Sequence, residues 1–187
     1  MSPERKPDYR EQIRKAEVLY NPEQITGMVS NVAQDIKADY NGEGVVLVGV
    51  LKGAYMFLGD LSRELHRNGV PHIIDFAQAS SYGDGTESSG DPIIRLGVDP
   101  KRIVGKKVIV VEDIVDTGHT IQKLMRDMEE LNPDSLKLAA LLSKPDRREV
   151  DVQIDYLGDE IEDRFVIGYG LDAGEEGREL PYIVAID

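Results

Sequence analysis

Three strand-length runs, Val45–Val50, Lys107–Val111 and Leu136–Leu142, are dominated by apolar residues and show no strict alternation with polar ones. A strand reads this way when both of its faces are covered, which is the signature of a parallel sheet packed between helices. The segments between the runs carry helical periodicity. Asn21-Pro22 opens the first, followed by Ile25, Met28, Val29, Val32, Ala33 and Ile36 on one face. Tyr55, Leu58, Leu61 and Leu65 form a second stripe that ends at Asn68-Gly69. Ile121, Leu124, Met125, Met128 and Leu131 form a third, stopped by Asn132-Pro133. Shorter strands are expected at His72–Ser81, Ile93–Val98, Ile154–Leu157, Phe165–Tyr169 and Tyr182–Ile186. The reading is α/β: a mainly parallel central sheet with helices on both faces, in a single domain over residues 1–187. In such sheets ligands sit at the carboxyl ends of the strands. Ser80 to Asp91 has almost no large apolar residue and is rich in glycine, so it reads as a mobile loop.

Charge narrows the partners. Lys and Arg number 22 against 35 Asp and Glu, a net charge of −13. Such a surface repels phosphate backbones and argues against non-specific nucleic-acid binding. An anionic substrate would need local cations or a bound metal. Cysteine is absent, which removes disulfides, thiolate zinc sites and a cysteine nucleophile. His66, His72 and His119 have no metal-ligand spacing. The polar start of the chain has no secretory core, and no apolar run approaches the roughly 20 residues that span a bilayer. A cytoplasmic protein with no membrane partner is the expectation.

The run Val108 to Thr120 concentrates the chemistry. A buried strand leads into adjacent carboxylates, Glu112 and Asp113, then a loop, Asp116-Thr117-Gly118-His119-Thr120, that opens a helix. Free N–H groups, hydroxyls and the helix dipole make that loop an anion site. Carboxylates can accept hydrogen bonds from vicinal hydroxyls. The two together suggest a sugar phosphate. Neither GxxxxGK[ST] nor a strand-borne GxGxxG occurs, so P-loop and dinucleotide readings are unsupported.

This thirteen-residue run resembles the phosphoribosyl-pyrophosphate signature of the type I phosphoribosyltransferases. From about Val45 through Tyr182 the chain resembles their hypoxanthine-guanine branch. Val50-Leu51-Lys52-Gly53-Ala54 is similar to that branch's pyrophosphate loop. Ser80-Ser81-Tyr82-Gly83 with Thr86 and Ser88-Ser89-Gly90 is similar to its mobile active-site loop. Ser143-Lys144-Pro145 stands where its base-reading lysine lies, and Arg164 to Asp172 resembles its base-binding segment. Arg178 stands where the family has a pyrophosphate-binding arginine. An aromatic residue commonly follows the aspartate matched by Asp172. Here Ala173-Gly174 stands instead and leaves that pocket wall less filled.

The resemblance implies a small hood region built from the chain ends, and a reaction. A 6-oxopurine (hypoxanthine or guanine) and phosphoribosyl pyrophosphate would give the nucleotide and pyrophosphate, with Mg²⁺ as cofactor. It implies Asp116 as general base, Glu112 and Asp113 on the ribose, and Asp116, Thr117, Gly118, His119 and Thr120 on the 5′-phosphate. His119 would act there through its backbone. Leu51, Lys52, Gly53 and Arg178 would hold the pyrophosphate. Lys144, Phe165, Val166, Leu171 and Asp172 would hold the base. Asp172, Glu112 and Asp113 are the candidate metal ligands, and Ser81 and Tyr82 belong to the closing loop. A homodimer or homotetramer is the family analogy. Competing readings are a transferase for xanthine or adenine, and a non-catalytic regulator that senses the sugar pyrophosphate and binds RNA or DNA. The regulator needs a basic face, and here only Lys101-Arg102 and Lys106-Lys107 cluster.

Overall fold

The structure is a computed structural model and describes residues 9–80 and 93–186. Its main sheet has six strands in the order β4-β3-β2-β5-β6-β7. These are β2 (Val45–Leu51), β3 (His72–Ser80), β4 (Ile93–Leu96), β5 (Lys107–Val115), β6 (Ser135–Ser143) and β7 (Tyr156–Glu160). All neighbours are parallel except the edge pair β3–β4. The expected sheet is therefore present, with three boundary corrections, the first being that the strand expected to reach Val98 ends at Leu96, where its pairing with β3 stops. β5 runs on past Val111 through both carboxylates to Val115, because its pairing with β6 continues to Val115↔Ser143. The strand expected from Ile154 begins at Tyr156, where pairing with Ala139 of β6 starts.

Both faces are covered. Helices α2 (Pro22–Tyr40) and α3 (Tyr55–Arg67) bury Val32, Ile36, Phe57, Leu61 and Leu65 against Leu47, Ile109 and Leu141. Helix α4 (His119–Glu129) places Ile121, Leu124 and Met128 on the other face, against Val48, Val110 and Leu138. This two-sided burial is why the central strands are almost wholly apolar.

A second sheet, β1-β9-β8, joins β1 (Glu17–Tyr20) to β9 (Ile183–Ile186) and β8 (Phe165–Ile167). Both pairings are antiparallel. Together with α1 (Tyr9–Lys15) it forms the hood expected from the chain ends. Tyr9, Ile13 and Ala16 pack on Ile167, Ala173 and Val184. Two ties fasten β1 to the rest: the Tyr20 hydroxyl donates to Asp159 at 2.8 Å, and Arg164 donates to Glu17 at 2.8 Å. The periodicity reading gave no element to residues 9–20. Four residues whose partner lies at the far end of the chain carry no local signal. The expected loop at Ser80–Asp91, with Ser81 and Tyr82, lies outside the described residues.

α2 illustrates how local sequence sets an element. The Asn21 side chain accepts from the Gln24 N–H at 2.9 Å, and the Gln24 side chain accepts from the Asn21 N–H at 2.9 Å. This reciprocal cap satisfies two orphan donors, with Pro22 at the first helical position. We expect Asn21→Ala to cost about 1 kcal/mol. For a chain of this size that lowers Tm by about 2–4 °C, readable by calorimetry, with no change in the far-ultraviolet dichroism of the folded state.

Candidate active site

Strand order locates the site. From β2 the chain moves outward to β3 on one side, and β5 then lies on the other side of β2. The order reverses between β2 and β5, and a crevice opens at such a point. The registers show how. β2 and β5 are paired only as far as Gly49↔Val111, while β5 stays with β6 for four residues more. Beyond Gly49 the two carboxyl ends part. A cavity of about 510 Å³ fills the gap, lined in part by Leu51, Lys52, Gly53, Glu112, Asp113, Asp116, Thr117, Gly118, Thr120, Asp172 and Arg178.

The loop after β2 presses closely on the carboxylates. A Cβ added to Gly53 would stand 1.7 Å from Asp113 Oδ2, so only glycine fits there. On its other side, a Cβ on Gly170 (φ +102°) would stand 2.0 Å from the Gly53 carbonyl oxygen. Residues 51–54 thus lie between β5 and the segment that leaves the hood. The Leu51–Lys52 peptide bond is cis.

Glu112 and Asp113 are held as a buried pair. Burial pushes the Glu112 carboxyl well above the usual carboxylate range, and the neighbouring Asp113 charge and hydrogen bond add to that. Burial also raises Asp113, against hydrogen bonds from Glu112 and the Ile114 N–H and the nearby Arg178 charge. The Ile114 N–H donates to Asp113 Oδ1 at 2.8 Å. Glu112 Oε2 is buried with no hydrogen-bond partner. Burial and mutual repulsion favour a neutralising partner for such a pair, whether a cation or a set of hydrogen-bond donors. That is the chemistry of a site suited to a metal ion or sugar hydroxyls. Among the described residues no three His, Cys, Asp or Glu side chains form a ready metal cluster. A hard divalent ion that keeps most of its waters and takes one or two carboxylates is compatible with this pair, and with Asp172 on the opposite wall.

The anion loop begins at the end of β5. Gly118 caps α4 at φ +95°, where a side chain would meet Val150 and Val152 at 3.0 Å. The Thr117 carbonyl accepts from the Glu149 N–H at 3.0 Å, which ties the loop from behind. The His119 ring turns away and pairs with Glu149 Oε2 at 2.9 Å. Its side chain is not part of the cavity wall.

Opposite stands Arg178. It donates to the Gly170 carbonyl at 2.8 Å and pairs with Asp172 Oδ1 at 2.7 Å. Glu175 joins this wall, and sequence reasoning missed it. Lys52 donates to Glu175 Oε2 at 2.9 Å, and Arg178 Nη2 lies 3.5 Å from the same oxygen. The Lys52 hydrogen bond, more than the Arg178 charge, holds the Glu175 carboxyl below the usual range. In a chain with 35 acids, nothing in the local sequence sets Glu175 apart.

Of the residues assigned to the base, Asp172 lines the cavity and the others lie elsewhere. Lys144, Phe165, Val166 and Leu171 do not line the cavity. Lys144 is only 6% exposed, and its Nζ lies 3.8 Å from Asp163 Oδ1. Arg147 Nε lies 3.7 Å from that same oxygen and donates to Asp116 Oδ1 at 3.2 Å. The lysine and Asp116 are therefore joined through Asp163 and Arg147, two charged residues the sequence did not single out. Val166, in β8, and Leu171 are buried in the core, whereas Phe165 is 51% exposed at the strand's start.

Comparisons with known proteins agree with this geometry. The family model described as a phosphoribosyl transferase domain matches residues 16–173. The hypoxanthine phosphoribosyltransferase of Salmonella typhimurium is 41% identical over 169 residues, spanning 89% of this chain and 93% of that protein. The hypoxanthine-guanine phosphoribosyltransferase of Dictyostelium discoideum is 42% identical over 169 residues, with the same coverage of 89% and 93%. A solved hypoxanthine phosphoribosyltransferase from Trypanosoma cruzi, in a ternary substrates complex, superposes with a TM-score of 0.84 at 39% identity, covering 92% of this chain and 96% of that one. The chain therefore belongs to the phosphoribosyl transferase family, in its hypoxanthine(-guanine) phosphoribosyltransferase branch.

Proposed function

We propose that this protein is a purine-salvage enzyme that joins hypoxanthine or guanine to phosphoribosyl pyrophosphate, giving IMP or GMP and pyrophosphate. One observation carries the reading. A single cavity gathers two cations, a buried carboxyl pair and a helix-opening loop, the donors and acceptors that a doubly phosphorylated ribose requires. The family relationship supports the base. We assign the activity to one domain spanning residues 1–187.

In this reading the 5′-phosphate lies in the turn from Asp116 to Thr120, held by backbone N–H groups, two hydroxyls and the α4 dipole. Glu112 and Asp113 accept from the two ribose hydroxyls. Their negative charge also suits a sugar carbon that becomes cationic as its bond to pyrophosphate breaks. Leu51 and Gly53 offer backbone donors to the pyrophosphate, and Lys52 and Arg178 meet its growing charge. Glu112, Asp113 and Asp172 would hold a Mg²⁺ ion that keeps most of its waters, and such an ion would supply further neutralisation of the leaving group's charge. These local positive charges answer the −13 of the whole chain.

The base is handled on the Asp116 side. Asp116 takes the proton from the five-membered ring as the new bond forms. Phe165 stacks on the purine, Asp172 bounds the pocket, and Leu171 supports it from the core. Lys144 donates to the 6-oxo group, and the Val166 backbone meets the purine edge. A donor at position 6 accepts an oxo group and disfavours an amino group, so adenine is rejected. Arg147 Nε pairs with Asp116 Oδ1 at 3.2 Å and orients it until substrate arrives. An assembly of two or four copies is in keeping with the family, as is a solved Trypanosoma cruzi relative whose C-terminal region was studied for its oligomeric state.

Three outcomes are expected in a coupled assay with phosphoribosyl pyrophosphate, Mg²⁺ and each purine in turn. Asp116→Asn lowers kcat by about 10²–10⁴ while binding of phosphoribosyl pyrophosphate, measured by calorimetry, barely changes. Unchanged turnover would remove Asp116 as the base. Lys144→Ala raises KM for hypoxanthine far more than KM for phosphoribosyl pyrophosphate, and equal effects would mean that it does not read the purine. Gly53→Ala displaces Asp113 and the loop together, and kcat/KM drops by about 10². Wild-type kinetics in that variant would separate the loop from the reaction.

A further inference from the structure

Lys52 and Arg178 already hold an anion of the protein's own. Glu175 Oε2 lies 2.9 Å from Lys52 Nζ and 3.5 Å from Arg178 Nη2. These are the cations that the proposed function assigns to pyrophosphate. Resting on that assignment, we propose that the Glu175 carboxylate occupies the pyrophosphate subsite of the ligand-free protein as a stand-in for a phosphate oxygen. Phosphoribosyl pyrophosphate must then displace it to bind, and it competes with pyrophosphate for the same cations on release.

The geometry around Glu175 separates a fixed backbone from a free side chain. Its N–H donates to Asp172 Oδ2 at 2.8 Å, and its backbone sits in the left-handed region at φ +75°. Gly174 before it also has positive φ, +59°, so the chain turns tightly to present this residue at the cavity wall. The side chain itself is 63% exposed. It can swing into solvent without disturbing the Asp172 contact.

The cations keep their aim when it leaves. Arg178 retains Asp172 Oδ1 at 2.7 Å and the Gly170 carbonyl at 2.8 Å. An exposed ion pair contributes little to folding, so the consequence of this contact falls on the ligand. Any anion that takes Lys52 and Arg178 must first break both contacts with Glu175. The cost weakens binding of substrate and product alike, and it favours departure of pyrophosphate after the transfer.

The test compares wild type with Glu175→Gln and Glu175→Ala. Phosphoribosyl pyrophosphate and magnesium pyrophosphate are each titrated into the intact protein by calorimetry. Glu176→Gln is the control, since it makes the same change in charge one residue away. Glu176 pairs with Arg10 at 3.6 Å and does not line the cavity. We expect Kd for both anions to fall by about 3- to 10-fold in the two Glu175 variants, and to stay near wild type in Glu176→Gln. The difference should shrink as salt is raised. An unchanged or larger Kd in the Glu175 variants overturns the proposal, the latter because Glu175 would then be positioning the cations or a metal. An equal fall in Glu176→Gln overturns it too, as an effect of net charge alone. If wild type binds neither anion, the proposed function itself fails, an outcome separate from these.

Discussion

Two carboxyl groups buried side by side at the end of a parallel strand are costly, and the architecture around the site manages that cost. Glu112 and Asp113 belong to β5, which stays paired with β6 through Val115. The pairing supplies the backbone partners that make such burial tolerable. β2 parts from β5 after Gly49, and the gap admits the Gly53 loop against Asp113. Any side chain at position 53 would occupy the carboxylate's own place. Gly170 then closes on Gly53 from the hood side, which fixes where Asp172 and Arg178 can stand. The carboxyl pair, the loop and the cationic wall are therefore one packing problem with one solution.

Charge is balanced locally within a strongly acidic molecule. The cavity holds Lys52 and Arg178 opposite Glu112 and Asp113, with Asp172 and Glu175 attached to the cations. On the other side of the phosphate loop, Arg147 lies between Asp116 and Asp163, and Asp163 reaches Lys144. Lys52, Arg178, Asp172, Asp116 and Lys144 thus each have a charged partner before any ligand arrives. Paired groups stay oriented at low cost in solvent, and they yield to a ligand that offers better pairing. This arrangement suits a site that must bind a multiply charged substrate and release a multiply charged product.

Much of the fold was legible because its signals are local. The two-sided burial of β2, β5 and β6 appears as apolar runs, the α2 start appears as Asn21-Pro22, and the anion loop appears as a strand that runs straight into Asp116–Thr120. The hood was legible only through family resemblance. β1 pairs with β9 across most of the chain, and no periodicity within Glu17–Tyr20 announces that partner. Boundaries shifted for the same reason. β5 extends to Val115 because β6 is there to pair with it, although Glu112 and Asp113 read as the end of an apolar run.

For the site, the sequence by itself determined the residue types. These are the carboxyl pair, the loop that caps α4, Lys52 and Gly53 after a buried strand, and a distant Asp172 and Arg178. For the carboxyl pair and the loop the chemistry follows from side-chain identity and short spacing, which are properties of the chain alone, whereas Asp172 and Arg178 were legible only through family resemblance. Only the tertiary structure decided that these pieces share one cavity. It also decided that Glu175 stands on both cations, and that Arg147 and Asp163 link Asp116 to Lys144. Those facts depend on strand order, on where β2 and β5 part, and on how the hood folds back. Contacts between residues more than 100 positions apart, such as Lys52 with Glu175, are fixed by packing and leave no mark on the neighbouring sequence.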